Sequence, residues 1–274
     1  MTKAETISAI KLALAAQPTA ADLVRWRQDD RIGVQKLLDR YEKQQQKQAE
    51  KLAAFQARLS FERDAWSEGL VLAGVDEVGR GPLAGPVVAA AVVIDEQFDL
   101  LAVHDSKQLS EKARLALDAA IKEEVVAFAF GVVDAADIDT LNIYEASRVA
   151  MKQAIENLSV QVDGLLIDAM TVDLPLPQEK LIKGDDRSIS IGAASILAKN
   201  FRDDLMAAYA VDYPGYGFDH NAGYGTAEHL AGLAAYGVTP IHRRTFAPVK
   251  QYLAKTDLET VEKRKITLCN VFPG

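Results

Sequence analysis

Residues 71–82 read VLAGVDEVGRGP, and this stretch organises the rest of the chain. The apolar run from Leu70 to Val75 predicts a buried strand, because it is too short for a helix. The run ends at Asp76 and Glu77, and burying two carboxylates is costly unless they are paired or bind a metal ion. Glycines 79, 81 and 85 follow, and they let backbone approach a ligand closely because they have no Cβ. The stretch therefore predicts negative charge for a cation beside bare backbone for a substrate; two solvated acids before an ordinary turn are the alternative.

Composition indicates an ordinary globular protein. With 274 residues, 49% hydrophobic and 26% charged, the chain is long enough for one large domain or a medium domain with extensions. The only cysteine, Cys269, excludes an internal disulfide and fits a reducing cytosol, so we expect a cytoplasmic location. No apolar run approaches the length of a membrane span, and Lys11 makes residues 7–16 an amphipathic helix rather than a signal peptide. The net charge of −8 disfavours nucleic acid as a partner unless a local basic strip exists.

The chain is expected to have three parts: a helical N-terminal extension over 1–68, a catalytic domain with C-terminal helices over 69–255, and a tail over 256–274. In the extension, Pro18 interrupts a first helix and Asp22 is a candidate cap for a second. Asp29 and Asp30 predict a break, which Gly33 supports. A charged helix then runs from about Val34 to Ser60.

The domain after residue 69 reads as a mixed α/β fold. The pattern predicts strands at 70–76, 86–94, 125–133, 164–168 and 181–182, and helices at 111–124, at 138–158 and after Ser188. This order suits three antiparallel strands with two further strands parallel to the first. Because ligands of open α/β sheets sit at the carboxyl ends of strands, Asp76 and Asp168 would lie close together if their strands are neighbours.

Four acids are candidates for one site: Asp76, Glu77, Asp168 and Asp185, with Asp186 a rival for the last position. Carboxylates that lie close together either share protons or bind cations. Oxygen ligands without histidine or cysteine suit Mg²⁺ or Mn²⁺ rather than zinc. Two such ions about 4 Å apart can activate a water and stabilise the leaving oxygen of a phosphodiester. The set therefore predicts two-metal-ion hydrolysis of nucleic acid.

These motifs resemble type 2 ribonuclease H, also called ribonuclease HII, over roughly residues 70–250. The family has an Asp-Glu pair before Gly-Arg-Gly, an acid after an apolar strand, and an acid in Lys-Gly-Asp. In this sequence the matching acids are Asp76, Glu77, Asp168 and Asp185, and residues 194–199, ASILAK, also match the helix of the family. The resemblance implies a ribonuclease H-like five-stranded mixed sheet flanked by helices, and it makes the four acids both catalytic residues and metal ligands.

The resemblance also implies how the substrate is bound. It assigns sensing of the 2′-hydroxyl to Gly79, Arg80 and Gly81, because that group distinguishes RNA from DNA. It places a stacking tyrosine at Tyr224, although Ala222 stands where many relatives have lysine. The expected basic strip contains Arg243 within residues 241–246, IHRRTF, with Lys107, Lys183 and Lys199 as companions. Arg80 favours type 2 over the related type 3 enzymes.

The activity implied is endonucleolytic cleavage on the 5′ side of ribonucleotides in RNA–DNA duplexes, including single ribonucleotides embedded in DNA, leaving 5′-phosphate and 3′-hydroxyl. Two alternatives remain open at this point. A two-metal phosphatase or DNA nuclease on the same fold would act on all-DNA duplexes. A non-catalytic hybrid-binding module would bind equally well with a chelator and would not cleave.

Overall fold

The computed structural model describes residues 5–103 and 110–255. The described chain divides into two compact units, the first ending at Ala57 and the second beginning at Arg58. Lys107, expected to bind phosphate, and the tail over 256–274 lie outside the described residues.

The first unit consists of helices α1 (Ile7–Ala15), α2 (Ala20–Arg27) and most of α3 (Ile32–Arg58). Its core is a small cluster of buried apolar side chains: Ile10, Leu14, Trp26, Val34 and Leu38. The cap of α2 is Thr19 rather than Asp22, whose carboxylate instead accepts the Thr19 N–H in a reciprocal capping box. The expected break at Asp29 and Asp30 is present, whereas Gly33 lies inside α3.

The second unit is built on five strands: β1 (Leu72–Val78), β2 (Val87–Val93), β3 (Ala127–Val133), β4 (Gly164–Asp168) and β5 (Gln178–Leu181). Their order in the sheet is β3-β2-β1-β4-β5. The β1–β2 and β2–β3 pairs are antiparallel, and the β1–β4 and β4–β5 pairs are parallel. The predicted five-stranded mixed sheet and its pairing are therefore confirmed.

Seven helices complete the described part of the second unit: α4 (Ser60–Ser67), α5 (Glu111–Glu124), α6 (Ala135–Leu141), α7 (Ile143–Glu156), α8 (Ile189–Asp212), α9 (Phe218–Asn221) and α10 (Ala227–Tyr236). Short 3-10 helices lie at Gly184–Asp186 and Val249–Lys255. The single helix expected over 138–158 is wrong. Asn142 has φ 70°, ends α6, and caps α7 by accepting the N–H groups of Tyr144 and Glu145.

Two glycines set the distance between the sheet and its helices. A Cβ on Gly74 in β1 would lie 2.3 Å from the Ser190 carbonyl carbon of α8, and a Cβ on Gly131 in β3 would lie 1.9 Å from the Ala150 carbonyl oxygen of α7. Both contacts are with backbone, so neither position has room for a side chain. β1 is therefore pressed against the start of α8. In the described part of the chain, no helix is both long and apolar enough to cross a membrane.

Candidate active site

Three of the four predicted acids meet at the ends of two neighbouring strands. Val75 of β1 pairs with Ile167 of β4, so the next residues along these parallel strands, Asp76 and Asp168, lie side by side. Glu77 follows Asp76, and carboxylate oxygens of all three residues lie within 4.8 Å of one another. Because β1 extends to Val78, Asp76 and Glu77 lie within the strand rather than after its end.

Burial makes this cluster electrostatically strained. The pKa of Asp76 is raised well above its usual range, first by burial and then by the negative charges of Glu77 and Asp168. Burial also raises the pKa of Glu77, and Asp168 adds to this while the Arg80 guanidinium opposes it. A cation is the partner that would allow all three carboxylates to be ionised at once.

The donor set fits a divalent cation. All three groups supply hard oxygen atoms, which suits Mg²⁺ or Mn²⁺. The Oε2 atom of Glu77 is buried and has no hydrogen-bond partner among the described residues, although Oε1 of the same side chain lies 3.2 Å from Arg80 Nη1. A buried carboxylate oxygen without a hydrogen-bond partner in an acidic cleft fits coordination to a divalent cation.

The predicted Lys-Gly-Asp motif reaches the same cleft through a tight turn. The Gly184 N–H donates a 2.6 Å hydrogen bond to Asp168 Oδ1, which fixes the orientation of that carboxylate. Asp185 follows in the 3-10 helix and lines the cleft, whose volume is about 710 Å³. Asp185 does not belong to the group of oxygens within 4.8 Å, and the exposed rival Asp186 does not line the cleft.

Helix α8 contributes a residue that sequence reasoning missed. The Ser195 side chain lines the same cleft beside Asp76 and favours the ionised form of that carboxyl group. Ser195 lies in the ASILAK motif, so the motif was noticed but its contact was not. The close approach at Gly74 allows this contact, because it brings the start of α8 onto β1.

The glycine-rich loop, residues 79–86, lies beside the acids. Gly79 is buried with φ 89°, whereas Arg80 and Gly81 are exposed. A Cβ on Gly81 would lie 3.4 Å from Tyr224 Cε1, so the exposed tyrosine and the loop are neighbours. Ala222, at the lysine position of many relatives, has φ 48°.

The expectation that Arg243 contacts phosphate is wrong for this conformation. Its side chain is fully buried, and its guanidinium donates to the carbonyl oxygens of Gly79, Arg80 and Gly85. A second buried arginine, Arg202 of α8, donates to the carbonyls of Pro86, Ala222 and Ala84. Burial lowers the pKa of Arg243 to about 9 and that of Arg202 to about 10. Two arginines therefore hold the glycine-rich loop from inside.

The lysines differ in availability. Lys183 is exposed at the rim, with φ 54°, and it lines the cleft together with Lys199. Lys199 Nζ forms an ion pair with Asp203 at 2.6 Å. Of the lysines expected in the basic strip, Lys183 is thus exposed, whereas the Lys199 ammonium group is paired with Asp203.

Two histidines support the tyrosine from behind. His229 Nδ1 lies 2.9 Å from the Tyr224 carbonyl oxygen and must donate to it. His229 Nε2 then accepts from His242 Nε2 at 3.0 Å, and His242 Nδ1 accepts from the Thr239 N–H at 3.0 Å. Burial lowers the pKa of both rings, that of His242 to about 3. Both are therefore neutral at pH 7, and His229 has two hydrogen-bond partners.

The segment before β1 also holds the site. Arg58 Nη2 donates to the carbonyl oxygens of Asp185 and Ser188. Oε1 of the buried Glu62 accepts from the hydroxyls of Ser188 and Ser190 and from the Ser190 N–H. No local pattern predicts these contacts, because the partners are about 130 residues apart in sequence.

Comparisons with known proteins show which family this chain resembles. The family profile described as Ribonuclease HII matches residues 73–249, and a profile described as Ribonuclease HII N-terminal domain matches residues 6–66. The chain is 58% identical to a ribonuclease HII of Lactobacillus delbrueckii subsp. bulgaricus over 84% of this chain and 90% of that protein. It is 55% identical to one of Lactobacillus johnsonii over 90% of this chain and 99% of that protein.

A solved structure shares the fold. The ribonuclease H2 from Pyrococcus horikoshii OT3 aligns with a TM-score of 0.59 and 25% identity, covering 68% of this chain and 98% of that one. Profile, relatives and fold point to one family with endoribonuclease activity. The chain belongs to the ribonuclease HII family.

Proposed function

We propose that this ribonuclease H hydrolyses the phosphodiester on the 5′ side of ribonucleotides in RNA–DNA duplexes, including single ribonucleotides embedded in DNA. The products are a 5′-phosphate and a 3′-hydroxyl. The observation that carries the proposal is the cluster of Asp76, Glu77 and Asp168 oxygens within 4.8 Å, directly beside a glycine-rich loop in which Arg80 and Gly81 are exposed. The cluster supplies the chemistry, and the loop supplies the recognition of one sugar.

The metal is Mn²⁺ or Mg²⁺, held by Asp76, Glu77 and Asp168, with Asp185 completing the set from the wall of the cleft. When bound, two such ions supply an activated water and charge stabilisation at the leaving oxygen. The Gly184 N–H orients Asp168, and Ser195 beside Asp76 opposes the rise in the pKa of that carboxyl group. The Arg80 guanidinium, on Glu77 Oε1, leaves Oε2 free for a ligand.

Substrate binding is assigned to the rim of the same cleft. Gly79, Arg80 and Gly81 contact the ribose and its phosphate, and the half-exposed Tyr224 stacks on the neighbouring nucleotide. Lys183 contacts the backbone, and Lys107 is proposed for the same role. These positive groups offset the acidic net charge locally, so affinity falls as salt concentration rises.

The cellular role that fits this activity is removal of misincorporated ribonucleotides or primer remnants from DNA in the cytoplasm. This role needs a protein that distinguishes one ribose in a deoxyribose background, since base pairing does not reveal it.

The test is a cleavage assay on a DNA duplex with one embedded ribonucleotide. The wild-type protein with Mg²⁺ or Mn²⁺ should cut once, on the 5′ side, and Asp76→Asn should lose at least about a thousandfold in kcat. The same duplex made only of DNA is the matched control. Cleavage of the all-DNA duplex would favour a general nuclease, and equal activity of wild type and Asp76→Asn would remove Asp76 from the reaction.

A further inference from the structure

We infer that Arg243 is a positioning residue that sets the direction of the substrate-reading peptides in the glycine-rich loop. The inference rests on the proposed function, because it concerns how that loop reads a ribonucleotide. Arg243 itself stays buried and touches no substrate.

The guanidinium uses all of its nitrogen atoms on the loop. Nη2 donates to the Gly79 and Gly85 carbonyl oxygens, Nη1 donates to the Arg80 carbonyl oxygen at 2.9 Å, and Nε donates to Gly85 at 3.1 Å. In the described part of the chain, no carboxylate forms an ion pair with Arg243. Its other neighbours are the Phe246 ring, whose centre lies 5.1 Å from Arg243 Cζ, and the Asp139 charge, which favours the charged guanidinium. A buried cation whose hydrogen bonds all go to carbonyls is costly, so its retention points to a task in the loop.

Planarity of the peptide bond converts these contacts into a direction. In a trans peptide the C=O and the following N–H point to opposite sides. Since the Gly79 and Arg80 carbonyls point inward to Arg243, the N–H groups of Arg80 and Gly81 must point away from it, toward the exposed side. Neither N–H has a hydrogen-bond acceptor among the described residues. They form a pair of adjacent free donors next to Tyr224.

The two donors match the chemistry of a ribonucleotide. A sugar hydroxyl or a phosphate oxygen accepts hydrogen bonds, and successive free N–H groups make a concave site for such oxygens. Positive charge on the carbonyl side polarises each peptide and strengthens its N–H as a donor. Arg243 thus acts on the substrate through the backbone.

Arg202 provides a comparison. It is also buried, packs against Gly79 and donates to three carbonyls, but these belong to Ala84, Pro86 and Ala222 and not to Gly79 or Arg80. Arg202→Lys and Arg243→Lys remove the same kind of buried group. Only the second removes hydrogen bonds to the Gly79 and Arg80 carbonyls, so it should alter the direction of the Arg80 and Gly81 N–H groups more.

The experiment measures affinity in metal-free buffer for two duplexes that differ by one 2′-hydroxyl. The wild type should prefer the ribonucleotide duplex, Arg243→Lys should lose that preference by about tenfold, since one or two hydrogen bonds are at stake, and Arg202→Lys should lose less of it. The thermal shift on adding Mn²⁺ should remain in Arg243→Lys. Equal loss of preference in both lysine variants, or no loss in Arg243→Lys, would overturn the inference. If the wild type shows no preference for the ribonucleotide duplex, that result would instead contradict the proposed function.

A second measurement on the wild type covers the case in which Arg243→Lys does not fold. The amide hydrogens of Arg80 and Gly81 should exchange rapidly with solvent in the free protein. They should become protected when the ribonucleotide duplex is added, and less so with the all-DNA duplex. Amides that exchange at the same rate with and without the ribonucleotide duplex would contradict the inference.

Discussion

The Gly184 N–H and Asp168 Oδ1 are joined by a 2.6 Å hydrogen bond, which links the Lys-Gly-Asp turn to the end of β4. The glycine leaves room for this contact. A Cβ on Gly184 would lie 3.2 Å from the same oxygen and 2.7 Å from Ile191 Cδ1. A larger residue would therefore displace the Ile191 side chain and crowd the Asp168 carboxylate.

We expect Gly184→Ala to lower kcat by about 10–100-fold, because displaced support of a metal ligand typically costs that much. In the same variant, the Mn²⁺ concentration that gives half-maximal activity should rise. Glu179→Ala, an exposed position on β5 that does not line the cleft, is the control and should leave both values unchanged. Unchanged metal dependence in Gly184→Ala would show that the hydrogen bond does not orient Asp168.

Asp76→Asn should unfold at a higher temperature than wild type in the presence of a chelator. Burial and two neighbouring acids disfavour the Asp76 carboxylate, and the neutral amide removes that repulsion. A gain of about 1 kcal/mol corresponds to roughly 2–4 °C for a unit of this size. Mn²⁺ at about a hundred times its dissociation constant should stabilise the wild type by about 2.7 kcal/mol, and most of this gain should be absent in Asp76→Asn.

Asp186→Asn is the matched control for that measurement, because Asp186 is an exposed acid beside the same turn. Its unfolding temperature should equal that of wild type both with and without Mn²⁺. If Asp186→Asn instead loses the response to Mn²⁺, Asp186 rather than Asp185 is the ligand from this turn.

The paired histidines predict acid sensitivity. The pKa of His242 is lowered to about 3 in the folded protein, against about 6.5 in the unfolded chain. The stability that the neutral histidine pair contributes is therefore fully present above pH 6.5 and is lost as pH falls toward 3. Between pH 7 and 5.5 the free energy of unfolding should fall by about 1–2 kcal/mol, measured by urea titration. The free energy of unfolding of His242→Gln should fall by less than that of wild type over the same pH range.

His220→Gln provides the comparison, because the His220 side chain is 68% exposed. It should show the same acid sensitivity as wild type. A wild type whose stability does not change between these pH values would mean that the His229–His242 pair can take up a proton without cost.

Glu62→Ala should destabilise the protein by about 2–4 kcal/mol, because it leaves two hydroxyls and one N–H at the start of α8 without their acceptor. Glu68→Ala, an exposed acid just after α4, should change stability by less than about 0.5 kcal/mol. Urea unfolding measures both. A similar small effect for Glu62→Ala would mean that water replaces the carboxylate.

The same contacts bear on the expected boundary at residue 69. A chain that starts there lacks Arg58 and Glu62, which hold the carbonyl of Asp185 and the hydroxyls of Ser188 and Ser190. We expect it to be less stable than a chain that starts at residue 58. Equal stability of the two would support residues 69–255 as an independent folding domain.

The sequence predicted those features that have local causes. Apolar runs between turn residues predicted the strands, and Ser110 and Ser188 cap their helices because a hydroxyl before an amphipathic run accepts the N–H three residues on. The acid cluster followed from strand ends in a mixed sheet. Asn142 was not predicted, because periodicity continues across the break.

The roles of Arg202 and Arg243 could not be predicted in this way. Their partners are carbonyl oxygens, which every residue has, so no residue type in the loop signals the contact. Arginine next to histidine in residues 241–246 has the composition of a solvated basic face, and only the packed structure shows it buried.

The parallel register of β1 and β4, Val75 against Ile167, also limits how this protein can vary. Side chains alternate between the two faces of a sheet, so inserting or deleting one residue in either strand would send its acid to the opposite face. Such a change would leave the pattern of apolar residues almost intact while separating Asp76 from Asp168. Insertions and deletions should therefore be tolerated in the loops that connect the strands. Within β1 or β4 they should abolish activity.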